Sequence, residues 1–151
     1  MMEKQEIKKK LIDDCYTNIN SSIESLKLQM AETQESANDY GQPKDRYDSY
    51  RMQLLRKRDM YGQQLDNAMT ELAVLKRIDP NKISNEVSFG SVVITDDQKL
   101  FVAISMTKIH VGEDVYYPIS IKVPFFQSIK GLKSGDKFSF NNKEHFIKDV
   151  F

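Results

Sequence analysis

A single cysteine, Cys15, stands in 151 residues, so no intramolecular disulfide can form, and a reducing compartment is the simplest setting for the chain. Tryptophan is absent, and no apolar run approaches the ~18 residues that a membrane-spanning helix needs. The N-terminus reads Met-Met-Glu-Lys-Gln-Glu rather than a basic stretch leading into an apolar core, which argues against a secretory signal. The expectation is a cytoplasmic protein without a membrane partner. Charge of one sign is lacking too: 22 basic residues balance 22 acidic ones, and no global field draws the chain to nucleic acid. Glycine and proline are scarce early. Gly41, Pro43, Gly62 and Pro80 are the only breakers before residue 89, whereas the rest of the 6 glycines and 4 prolines fall after it.

That imbalance divides the chain into two textures. Ile12, Tyr16, Ile19, Ile23, Leu26 and Met30 are spaced 4, 3, 4, 3 and 4, a heptad seam that asks for a partner helix. Leu54, Arg58, Tyr61, Leu65, Ala68, Leu72 and Leu75 form a second seam of the same period, with one charged member whose aliphatic stem can pack. Gly41 and Pro43 lie between the seams and stop the first helix, and Asp45 is placed to cap the second. A connection this short makes the helices antiparallel neighbours, and arms of about 33 residues would give a rod of roughly 50 Å. Gly62, inside the second helix, costs ~1 kcal/mol relative to alanine.

Beyond residue 84 the period becomes that of strands. Val87–Thr95, Leu100–Met106, Tyr116–Lys122, Lys137–Phe140 and Glu144–Val150 read as strands, with a short helix from Pro124 to Gly131. The fold class expected is α+β. An antiparallel helical coiled-coil hairpin over residues 1–79, with its tip near 38–46, is joined by a linker at 80–84 to a small β-rich domain at 85–151.

Enzyme chemistry finds little support in the residues. Cys15 has no base beside it, and His110 and His145 lie on different elements without Cys, Asp or Glu at a metal-ligand spacing. There is no phosphate-cradling glycine loop, nucleophile elbow or CxxC pair. A protein that is not an enzyme, with no catalytic residue, no cofactor, no small-molecule substrate and no metal bound tightly by itself, is the expectation. The tip is more informative. Ala31–Asp48 carries Glu32, Glu35, Asp39, Asp45 and Asp48 against Lys44 and Arg46, whereas Ser49–Met60 carries Arg51, Arg56, Lys57 and Arg58 against Asp59. A solvated coiled-coil face accounts for such runs about as well as a function does. The functional alternative is an acidic tip that reaches a cation held by a partner while the basic flank meets phosphates or acidic protein.

Residues 124–136, Pro-Phe-Phe-Gln-Ser-Ile-Lys-Gly-Leu-Lys-Ser-Gly-Asp, are similar without a gap to the segment S-P-x-G-x-A-L-L-G-K-x-x-G-D of the Gre family of bacterial transcript-cleavage factors. Pro124, Ile129, Gly131, Lys133, Gly135 and Asp136 match it in character. Arg77-Ile78-Asp79 resembles the family's V-I-D, and Gly41-Gln42-Pro43-Lys44-Asp45-Arg46-Tyr47-Asp48 overlies its tip pattern G-D-L-K-E-N-A-E. The resemblance covers most of the chain. It implies a helical hairpin that enters the secondary channel of RNA polymerase and an FKBP-like domain that docks outside, with the Pro124–Asp136 segment as the docking element. It also implies that Asp45, backed by Asp39 and Asp48, supports a Mg²⁺ ion shared with polymerase, beside Gly41, Gln42 and Lys44. Arg51, Arg56, Lys57 and Arg58 would then contact nascent RNA or the channel walls. The family's two acids fall on Gln42 and Asp45, so one carboxylate is replaced by a neutral amide, and modulation without cleavage fits the tip at least as well as cleavage. Two other readings compete: a coiled-coil adaptor or chaperone-like module that does not bind polymerase, and a prolyl isomerase, for whose apolar pocket about 65 residues leave little room.

Overall fold

The computed structural model describes residues 3–41 and 48–151. Two long helices come first, α1 (Lys4–Tyr40) and α2 (Ser49–Leu75); then follow strands β1 (Val92–Thr95), β2 (Lys99–Ala103), β3 (Ile109–Val111) and β4 (Asp114–Ser120), helix α3 (Pro124–Ile129), and strands β5 (Lys137–Phe140) and β6 (Lys143–Val150). This is the expected α+β order of a helical hairpin followed by a β-rich domain with one short helix. Among the described residues no helix is long and apolar enough to cross a membrane. The chain forms two compact units, one of residues Thr17–Ala73 and one of the residues through Tyr16 with Val74–Phe151.

Unit Thr17–Ala73 is the paired part of the two helices. Gly62 faces Met30, Arg58 reaches Gln34, and Tyr50 meets Tyr40, so positions on α2 fall as those on α1 rise, which is an antiparallel pair. The first seam is inside: Ile19 and Ile23 are buried, and beyond Met30 the stripe continues through buried Thr33 and Ala37. Thr33 avoids an unsatisfied hydroxyl by donating to the Gln29 carbonyl one turn back, at 2.8 Å. On α2, Ala68 is buried and the other seam members within the unit are half-buried. Arg58 makes a polar layer in this seam, its guanidinium donating to Gln34 and, at 2.7 Å, to Asp59. A polar layer of this kind fixes which turns face each other.

The other unit is built on a six-stranded sheet of order β3-β4-β2-β1-β6-β5. All neighbours are antiparallel except β2 and β4, which run parallel from Lys99↔Tyr116 to Ala103↔Ser120. α3 and the sheet enclose one core, with Val87, Val93, Leu100, Val102, Phe126, Ile129, Phe138, Ile147 and Val150 buried together. The β5–β6 turn is tight because Asn141 and Asn142 take φ of 54° and 64°, the left-handed pair a two-residue hairpin requires. Pro118 sits within β4 without cost to the ladder, since β3 pairs only as far as Tyr116 and leaves that side open.

Several sequence expectations shift. The run from Val87 is not one strand: Gly90, at φ of 90°, breaks it, and Val87 instead exchanges backbone hydrogen bonds with Gly131 and Leu132. β3 and its hairpin to β4 leave no signal in the sequence, because Ile-His-Val is too short to show a period. α2 ends at Leu75 rather than near Ile78, and single turns follow it, with Arg77 and Ile78 donating to the Val74 and Leu75 carbonyls.

Candidate functional site

The end of the hairpin is closed by side chains from both helices. Gly41 takes φ of 88° and donates to the Asn38 carbonyl at 3.0 Å, a left-handed residue that ends α1 as the sequence predicts. α2 is capped by Asp48: its carboxylate accepts from the Arg51 N–H at 3.3 Å, while its carbonyl accepts from Met52 at 3.1 Å. Capping therefore falls to Asp48, and the residue expected to do it, Asp45, lies outside the described residues together with Gln42 and Lys44. The Arg51 guanidinium donates to the Gly41 carbonyl at 3.1 Å, Tyr40 donates to Asp48 at 3.2 Å, and the Tyr40 and Tyr50 rings meet edge-on at 4.9 Å. The last described turn is thereby tied across the pair.

The expected tip and flank residues thus sort by environment. Asp39 is exposed, whereas the Asp48 carboxylate takes part in the cap. Arg51 and Arg58 are engaged within the hairpin, Arg56 is exposed, and Lys57 lies 5.9 Å from the centroid of the Tyr61 ring. Among the described residues no three ligand groups converge at the tip. A cation there would need oxygen atoms from elsewhere to complete its shell.

In the sheet unit, the segment from Pro124 to Asp136 is a scaffold of backbone contacts. Pro124 opens α3, and Ile129 is wholly buried beneath the segment. Gly131 and Gly135, at φ of 78° and 91°, donate to the Val87 and Ile147 carbonyls at 2.8 and 2.7 Å. A side chain at either glycine would strain the turn. Asp136 closes the loop by accepting from the Lys133 N–H at 2.8 Å. Pro124, Gly131, Lys133, Gly135 and Asp136 remain exposed, so this rigid ridge presents a surface while Ile129 anchors it.

One cluster was invisible in the sequence. His145 Nδ1 lies 3.1 Å from Asp96 and 3.7 Å from Asp97, and the imidazole stacks on Phe138 with centroids 5.3 Å apart. Partial burial would raise the Asp96 pKa, but hydrogen bonds from His145 and the Phe146 N–H prevail and hold it below the usual carboxylate value. Among the described residues these three are the group whose ligand atoms converge, within 4.8 Å, and the His145–Asp96 hydrogen bond accounts for the arrangement. Because 49 residues separate His145 from Asp96, no local spacing could have shown it.

Cys15 lies in the unit of the sheet and is fully buried. Burial, with a smaller contribution from Asp14, pushes its thiol up to about 12. It is a packing residue and not a nucleophile at neutral pH.

No protein-family model matches the chain, and no curated protein matches it. Solved structures resemble it at low identity. The transcription factor Gfh1 is 15% identical over 89% of this chain and 92% of that one, with a TM-score of 0.36. GreA factor homolog 1 (Gfh1) of Thermus thermophilus is 14% identical over 90% and 94%, with a TM-score of 0.34. Thermus aquaticus Gfh1 is 14% identical over 89% and 92%, with a TM-score of 0.33.

Proposed function

We propose that the chain is a Gre-like factor acting on bacterial RNA polymerase, with the Pro124–Asp136 ridge docking outside the secondary channel and the hairpin tip reaching toward the active centre. The observation that carries this reading is a hairpin whose seam stays packed to its last described turn, through Ala37, the Tyr40–Tyr50 contact and the Arg51–Gly41 hydrogen bond. A two-helix arm has no core of its own to enclose at such an end. Its rigidity serves delivery of the residues it carries.

Asp45, with Asp39 and Asp48 beside it in sequence, contributes carboxylate oxygen toward a Mg²⁺ that polymerase holds, and Gln42 contributes an uncharged carbonyl where the family resemblance expects an acid. Losing one charge-assisted ligand weakens support for a second metal ion. The tip therefore occupies the channel and modulates elongation more than it promotes cleavage. Arg56 and Lys57, on the exposed flank, face nascent RNA or the channel wall.

The test combines pull-down of polymerase with transcription on stalled complexes, using the wild type and the Asp39→Ala/Asp45→Ala/Asp48→Ala variant. The proposal expects polymerase capture by both proteins and an altered transcript pattern with the wild type only. No capture and an unchanged pattern overturn it. An effect that survives loss of all three acids removes the tip from the mechanism, and absence of polymerase capture by either protein leaves a coiled-coil adaptor.

A further inference from the structure

The unit of the sheet contains a buried charge that its fold does not need. Lys8, on α1, is 2% exposed, and among the described residues its ammonium donates to one acceptor, the Lys82 carbonyl, at 2.6 Å. Among the described residues it has no carboxylate within ion-pair distance. A neutral amide or hydroxyl would satisfy one carbonyl without desolvating a charge, so the hydrogen bond alone does not account for a lysine here.

Lys8 lines a cavity of about 260 Å³ that Arg77, Lys82, Ser84 and Ser88 also line. Neither Arg77 nor Lys82 forms an ion pair among the described residues. Asp79 is the one acid on the lining, and its carboxylate is drawn into its own turn by the Asn81 N–H at 2.9 Å. Part of the lining is held by hydrogen bonds: Gly90, at φ of 90°, donates to the Val102 carbonyl at 2.7 Å, and the Ser91 hydroxyl donates to the Ser88 carbonyl at 2.7 Å. The result is a preformed recess in which cations outnumber acids.

We propose that this cavity binds a small phosphate-bearing anion, with Lys8, Arg77 and Lys82 on its lining donating to the phosphate oxygens. An ammonium supplies a point charge and a guanidinium supplies a fork of donors, the combination that phosphoryl groups select. The volume holds a diphosphate but is small for a whole nucleotide, whose base would extend beyond it. Burial draws the Lys8 pKa below 10.5, Lys82 adds to the fall and Asp79 opposes it; a bound anion would supply the missing counter-charge.

The experiment is titration of the full-length, ¹⁵N-labelled protein at low salt, without divalent cations, with inorganic phosphate, pyrophosphate and a nucleoside triphosphate in separate arms. Expected are saturable shifts centred on the amides of Ser84, Ser88, Gly90 and Ser91, with a Kd for pyrophosphate of about 1 mM or below. Arg77→Gln/Lys82→Gln, at exposed positions that leave folding intact, should weaken binding by roughly tenfold or more. Lys8→Met, which keeps the aliphatic stem, should abolish saturation, and Lys27→Gln, at an exposed position on α1, should leave binding unchanged. A nucleotide that binds more tightly than pyrophosphate identifies a nucleotide ligand; equal affinity identifies the phosphates alone. Linear, dispersed shifts, or saturable binding untouched by the Arg77/Lys82 variant, would overturn the site.

Discussion

Replacing Gly62 with alanine should stabilise the hairpin, because this glycine occupies a helix interior with room for a methyl group. A Cβ at residue 62 would lie 3.4 Å from Met30 Cε and 3.7 Å from its Sδ, ordinary contact with the far end of a flexible side chain. The gain in helix propensity is about 0.8–1.0 kcal/mol, and little of it is lost to repacking, since methionine adjusts by rotation. For a chain of this size about 1 kcal/mol corresponds to roughly 2–4 °C in Tm. Urea unfolding followed by circular dichroism at 222 nm supplies the equilibrium value, and hydrogen exchange at α2 amides reports the hairpin by itself. In a double-mutant cycle with Met30→Ala the coupling should be small. Destabilisation of Gly62→Ala by ~0.5 kcal/mol or more, relieved by Met30→Ala, would show that the helices approach more closely than described and refute the reasoning.

Two further outcomes follow from titratable groups. The Cys15 thiol, held at about 12 when folded against an ordinary 9.0, binds its proton more tightly in the native state. Stability should therefore fall as pH rises from 9.0 toward about 12, a loss absent in Cys15→Ala, and below that window a thiol reagent should modify Cys15 only at the rate of unfolding. Asp96 behaves oppositely, because its folded pKa lies below the usual 3.8. Its contribution is present in full above that value and is lost as pH falls through the lower folded pKa, so the gap in urea midpoint between wild type and Asp96→Asn should be open at pH 6 and closed in strong acid.

The features legible in the sequence are those whose cause is local. Ile19, Ile23, Leu26 and Met30 repeat every three or four residues because one helix face is covered, and Gly41 interrupts them because a left-handed residue ends the helix there. The start of α3 at Pro124 and the glycine turns at Gly131 and Gly135 are likewise written in single residues. Pairings set by the whole sheet were not legible: β2 lies parallel to β4, two strands away in sequence, and His145 finds Asp96 only once β6 has paired with β1. The second seam could not reveal that Arg58 looks inward to Gln34, since a charged residue at a seam position reads equally as a snorkelling surface group. Lys8 was hidden for the same reason, as one of three consecutive lysines, Lys8 to Lys10, near the start of α1.

Delivery of the tip residues into RNA polymerase by a stiff hairpin is what we propose. Its most direct measurement is site-specific crosslinking from Asp39→Cys in a Cys15→Ala background, performed on stalled elongation complexes. Crosslinks are expected to polymerase segments lining the secondary channel, lost when excess unlabelled wild-type protein is added. Crosslinks confined to the outer surface of polymerase, or none at all with the protein folded, would contradict it.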